Sequence, residues 1–139
     1  MAKAKPPRTT SIDNTIEQLK IEQETILNAY TQITLIEISR IKELTLKNDI
    51  LMHNRISYSK SKLIELAENI ANLAKENTGI LGTGLLNPVM LRNNNGILER
   101  IHGENRIKAV KLNGVSTIPA IILENVSDEL ARFMRSSEN

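Results

Sequence analysis

Residues 89–112 read Val-Met-Leu-Arg-Asn-Asn-Asn-Gly-Ile-Leu-Glu-Arg-Ile-His-Gly-Glu-Asn-Arg-Ile-Lys-Ala-Val-Lys-Leu, and this stretch restricts the fold more than any other. Asn95-Gly96 is a tight-turn dipeptide set between two apolar runs, which predicts an antiparallel hairpin over 89–101. Gly103 then breaks the second run. A helical pattern follows, with Ile107, Val110 and Leu112 on or near one side. Strand, glycine turn and helix start is a local geometry whose first backbone N–H groups point at an anion. Arg106 falls in the first turn of that helix, and Lys108 and Lys111 follow within about another turn. A guanidinium holds two phosphate oxygens at once, with a directionality an ammonium lacks. The same pattern also fits an ordinary loop-to-helix junction whose basic residues are simply solvated.

Charge and composition narrow the function. The net charge of +2 is unevenly spread. Lys3, Lys5 and Arg8 stand without an acid in the first ten residues, and Arg92, Arg100, Arg106, Lys108 and Lys111 face only Glu99 and Glu104 between 79 and 123. Positive charge gathered around one short stretch favours a local anion site over a broad nucleic-acid face. Tyr30, Tyr58 and Phe133 are the only aromatics, too few for a base-stacking platform. Without cysteine there is no disulfide framework, thiolate metal site or cysteine nucleophile. No apolar run has the length of a membrane span, and a cytoplasmic location is expected.

The remaining segments arrange themselves around that stretch. Residues 1–10, with Pro6-Pro7 and three bases, are expected to form a disordered basic arm. Residues 11–30 predict an amphipathic helix in which Ile12, Ile16, Leu19, Gln23, Ile26 and Tyr30 recur at heptad spacing. That seam suits docking on the chain's own domain, or a coiled-coil dimer; its short length favours docking. Residues 31–38 are dense in β-branched side chains and predict a strand. Residues 39–55 fit a short helix or a packed loop, and His53 has no ligand-spaced companion there. Ser57 or Ser59 caps a helix through Leu63, Leu66, Ala67, Ile70, Leu73 and Ala74 that ends at Asn77-Thr78-Gly79. The glycines at 79, 82 and 84 then make either a phosphate cradle or a flexible connection. Asn113-Gly114 stops the central helix, with Val115 expected to pack back. Residues 118–123 predict a strand carrying Pro119 near its start, and Ser127-Asp128-Glu129 caps a last helix.

A succession of short motifs carries a resemblance to a known family. Leu86-Asn87-Pro88-Val89-x-Leu91-Arg92, the Asn-Gly turn, and Gly103-Glu104-Asn105-Arg106-Ile107-Lys108-Ala109 follow one another here. Leu112-Asn113-Gly114, Thr117-Ile118-Pro119-Ala120 and a terminal Glu138-Asn139 complete the order. Together they resemble the N-terminal domain of the partition protein ParB over roughly residues 32–139. The resemblance implies an α/β (α+β) fold of the ParB/sulfiredoxin-like type: a small mixed sheet packed with helices, spanning 31–139 and preceded by an extra N-terminal helix.

The resemblance also implies a site for CTP with Mg²⁺. It assigns nucleotide binding to Gly84, Leu85, Leu86, Arg92, His102, Gly103, Glu104, Asn105, Arg106 and Lys108. Arg106 would hold phosphate, Glu104 would assist slow hydrolysis, and Glu138 and Asn139 would lie near the metal. Family members use the nucleotide to close a dimeric clamp on DNA, so a homodimer and a role in DNA partition are expected. A nuclease and a non-enzymatic dimeric module are the alternatives. Sulfiredoxins share the Gly-x-x-Arg turn, but their chemistry needs a cysteine. Asn105 replaces the first arginine of the family's pair, removing a positive charge. The sequence stops where a helix-turn-helix would begin, so any DNA contact within it is expected to be non-specific.

Overall fold

The computed structural model describes residues 11–29, 32–46, 50–52 and 58–136. The basic arm, Tyr30, His53, Glu138 and Asn139 lie outside the described residues.

A six-stranded mixed sheet forms the centre, in the order β1-β6-β4-β5-β2-β3. The strands are β1 (Thr34–Glu37), β2 (Ile41–Leu46), β3 (Ile50–Met52), β4 (Val89–Asn94), β5 (Ile97–His102) and β6 (Thr117–Leu123). The helices are α1 (Ser11–Ala29), α2 (Lys60–Lys75), α3 (Glu104–Leu112) and α4 (Asp128–Ser136). β4 and β5 form the hairpin expected from Asn95-Gly96, whose positive φ values of 55° and 90° suit the twist of such a turn. β4 runs parallel to β6, and β5 runs parallel to β2.

Strand parity divides the interior in two. Val89, Leu91, Leu98, Ile118 and Ala120 face one side, where Ala67 and Ile70 of α2 and Ala109 and Val110 of α3 complete a core. Met90, Ile101, Ile121 and Leu123 face the other, against Leu130, Ala131 and Met134 of α4. Each fully buried aliphatic side chain contributes about 1.5–3 kcal/mol relative to an exposed one. The central strands thus send apolar side chains to both faces, as expected for strands covered on both sides, with Arg92, Glu99 and Arg100 as buried charged exceptions.

Three expectations need correction. Residues 39–55 are neither a helix nor a packed loop where described: a 3-10 turn (Ile38–Arg40) leads directly into β2, and β3 pairs back on β2. Where its side chains are described, the seam of α1 is not the docked face. α1 lies against β6 and α4, yet Ile16 and Leu19 are 46% and 45% exposed while Glu17, Gln18 and Glu22 are half-buried. At the far end of α3, Leu112 and Val115 are also exposed rather than packed.

Candidate functional site

α2 starts at Ser59, whose hydroxyl accepts the Lys62 N–H at 3.3 Å, and ends one turn before the glycine loop. That loop is not slack. The Gly84 N–H donates to the Thr78 carbonyl, and the Ile80 N–H donates to the Leu85 carbonyl, both at 2.8 Å. Gly84 has φ +84°, and a Cβ there would lie 2.1 Å from the Ile70 carbonyl oxygen. The loop backbone is thus pressed onto α2 at a point only glycine can occupy.

Leu85 from this loop is buried in the core, whereas Leu86 and Asn87 stand at the surface. Beside them opens a cleft of about 530 Å³, within the size range of small-molecule sites. Leu66, Asn69, Ile70, Asn72 and Leu73 of α2 form one wall, Gly84, Leu85, Leu86 and Asn87 another, and Arg106 closes it from α3. The Arg106 guanidinium reaches the Asn87 carbonyl at 3.4 Å, so α3 and the loop meet at this side chain.

Gly103 is the hinge between β5 and α3. Its φ of +115° is left-handed, and a Cβ there would lie 2.5 Å from Cγ1 of Val89. Glycine is required on both counts. α3 begins directly after it, without a side-chain cap at position 103, so the positive end of the helix lies on the side of Arg106.

The other expected site residues go elsewhere. Glu104 sits in an ionic cluster, with one oxygen 3.2 Å from Arg100 and the other 2.9 Å from Lys108. Arg100 is itself buried and holds both oxygens of Glu43 on β2. Glu104 and Lys108 are consequently not among the residues lining the cleft. Asn105 accepts the Tyr58 N–H at 3.1 Å, tying the start of α3 to the entry of α2.

Arg92 and His102 require outright correction as cleft residues. Leu91 faces α2 and α3, so its neighbour Arg92 faces α4. There it is 1% exposed, paired with Glu99 at 2.7 Å and Asp128 at 2.9 Å, and donating to the carbonyls of Thr45 and Val126. A register shift between β4 and β5 leaves Ile101 as an extra residue on β5. Beyond it, His102 meets the Met134 carbonyl of α4 at 2.6 Å instead of the cleft. Arg135 reinforces that contact, donating to the carbonyls of Ile101 and Arg100.

Of the expected residues, the structure therefore gathers Gly84, Leu85, Leu86 and Arg106 around the cleft, with Gly103 at its hinge. Asn69 and Asn72 on the wall are not visible as site residues in the sequence. They lie beside an apolar stripe that reads as ordinary helix core, and no local signal separates the two roles. No group of three or more His, Asp or Glu side chains among the described residues forms a metal site, and no carboxylate lines the cleft. The described residues therefore do not fit a protein-held Mg²⁺.

Comparison with known proteins places this arrangement. In structure, the chain is similar to sulfiredoxin from Arabidopsis thaliana, with a TM-score of 0.54, 22% identity, and coverage of 74% of this chain and 96% of that one. It is also similar to the C-terminally truncated chromosome-partitioning protein ParB from Caulobacter crescentus, solved with CTP-gamma-S. There the TM-score is 0.50 at 17% identity, covering 74% of this chain and 50% of that one. In sequence, it is 46% identical over 56 residues to a probable plasmid-partitioning protein ParB of Xylella fastidiosa strain 9a5c, which is 40% of this chain and 14% of that protein. The chain thus matches a small part of that curated relative's length. The model of the ParB N-terminal domain matches residues 22–139, and the chain belongs to the ParB N-terminal domain family.

Proposed function

We propose that this domain binds a nucleotide of the CTP class in the cleft between α2, the 84–87 loop and α3, and serves as a nucleotide-responsive module in DNA partition. The observation carrying this reading is the convergence on one concavity of a guanidinium from the first turn of α3, a loop pinned by glycine and an apolar wall of α2. Arg106 supplies a directional anion contact, and the apolar wall of Leu66 and Leu73 offers a surface for a nucleobase. Family membership and the likeness to a partition protein solved with CTP-gamma-S support the same ligand class.

Glu104 has a supporting role in this proposal. Held between Arg100 and Lys108, it fixes the first turn of α3 and so the direction of Arg106. The nuclease alternative gains nothing from the described residues, since no carboxylate cluster gathers there. The outward-turned Ile16 and Leu19 favour α1 as the element joining two copies, because apolar residues at heptad spacing suit a self-complementary helix pair. Removing residues 1–30 should then lower the mass in solution to that of a single chain.

Calorimetric titration of the folded protein with CTP and ATP, each with Mg²⁺, tests the main reading. Saturable binding of CTP supports it. Absence of heat with both nucleotides overturns it.

A further inference from the structure

Asn105 stands next to the cleft arginine, yet its side chain is committed in another direction. Its carboxamide oxygen accepts the Tyr58 N–H at 3.1 Å. Consecutive residues of a helix project about 100° apart. Asn105 therefore meets the entry of α2 while Arg106 borders the cleft.

The receiving end is itself well held. Tyr58 directly precedes Ser59, the cap of α2, whose hydroxyl accepts the Lys62 N–H. The Lys62 ammonium lies 4.8 Å from the centroid of the Tyr58 ring, a cation–π contact that keeps the ring on the first turn of α2. At the other end of α3, Asn113 makes a bond of the opposite sense: its Nδ2 donates to the Ala67 carbonyl of α2 at 2.9 Å. Between these ties, Ala109 and Val110 belong to one core with Ala67 and Ile70. Two asparagines thus bracket α3 against the helix that forms the cleft wall. Glu104 fastens the same first turn to Arg100 of the sheet. A cleft whose walls are tied together needs little reorganisation when it is filled.

We infer that Asn105 is a positioning residue, which sets Arg106 opposite the Leu66, Asn69 and Leu73 wall without touching the ligand. This rests on the nucleotide reading above and deepens it. It moves Asn105 from the nucleotide-binding set, where the family resemblance puts it, to the support of the neighbouring arginine.

The test compares two changes of similar size in the full chain, Asn105→Leu and Asn105→Asp. The first removes the acceptor, whereas the second keeps an acceptor oxygen and adds a negative charge. Calorimetric titration with CTP and Mg²⁺ reads the cleft. Hydrogen exchange of the Tyr58 amide, followed by NMR, reads the tie itself. Asn105→Leu should speed exchange at Tyr58 about fivefold or more and weaken CTP about fivefold, the loss of one ordinary hydrogen bond. Asn105→Asp should keep Tyr58 protected and bind CTP within about threefold of the unaltered protein, because a charge turned from the ligand is screened by solvent. Asn105→Ala should repeat the Asn105→Leu result, and stands in for it where leucine does not fit.

Weaker CTP binding by Asn105→Asp than by Asn105→Leu overturns the inference, since that order marks a side chain facing the phosphates; the nucleotide reading then stands. Unchanged Tyr58 exchange in both Asn105→Leu and Asn105→Ala overturns it as well. Absence of CTP binding by the unaltered protein removes the nucleotide reading, and this inference with it.

Discussion

Arginines on the two faces of the sheet are not used alike. On the α4 side, Arg92 and Arg135 are 1% and 5% exposed, and their guanidinium groups are spent on carboxylates and backbone carbonyls. On the α2 and α3 side, Arg106 is only partly buried, and it borders an open cleft with a long contact to the Asn87 carbonyl. The α4 side uses these arginines as structural bolts; on the other side Arg100 is a bolt as well, buried against Glu43 and Glu104, while Arg106 is presented to a cleft. Residue type and position near a motif do not separate these uses; the depth at which the guanidinium is buried does.

Substitutions on the two faces should accordingly differ in kind. The largest effect belongs to Arg92→Met, which leaves Glu99 buried without its partner and frees two carbonyls. A loss of about 3–5 kcal/mol is expected, read by urea unfolding. Gly103→Ala comes next, since it forces a Cβ against Val89 in a left-handed backbone; about 2–3 kcal/mol should be lost. Gly96→Ala meets nothing within 4 Å and suffers only from its φ of +90°, so about 1–2 kcal/mol is expected. The contrast between these glycines isolates the steric part of the cost.

Smallest of all in stability is Arg106→Gln, which should change the unfolding free energy by less than about 0.5 kcal/mol. The same variant should lose nucleotide affinity by about tenfold or more. A stability loss at Arg106 as large as that at Arg92 would erase the distinction between the two faces. Equal nucleotide affinity in wild type and Arg106→Gln would do the same from the other direction.

Elements whose signals are local are legible in the sequence. Ser59 and the apolar stripe of α2, the Asn95-Gly96 hairpin, the Gly103 break, and the Ser127 cap, whose hydroxyl accepts the Leu130 N–H at 3.1 Å, need only neighbours to be read. β2 is not legible. Its apolar residues Ile41, Leu44 and Leu46 follow neither a helical nor an alternating period, and its parallel partner, Leu98 onward, is far away in the chain. Pairing at that distance leaves no trace in a short window.

The site divides along the same line. Gly84, Leu85, Leu86 and Arg106 each belong to a compact motif, and these four line the cleft. Arg92 escapes the sequence although strand parity is visible, because parity alone does not say which face carries the cleft. His102 is displaced by one inserted residue, which no propensity announces. The spacing of α1 reveals a seam but not its docked side, since half-buried Glu17 and Glu22 are an unusual choice for a contact face.

The strand order has a consequence for how the chain reaches this state. β1 hydrogen-bonds to β6, and β2 to β5, so both early strands find these sheet neighbours only in the second half of the sequence. On a ribosome these strands emerge well before those partners exist. Their β-branched edges then wait unpaired, a period in which chaperones or self-association compete for them. Such distant closure also predicts slow folding for a domain of this size, and leaves completion of the sheet to the last strand made.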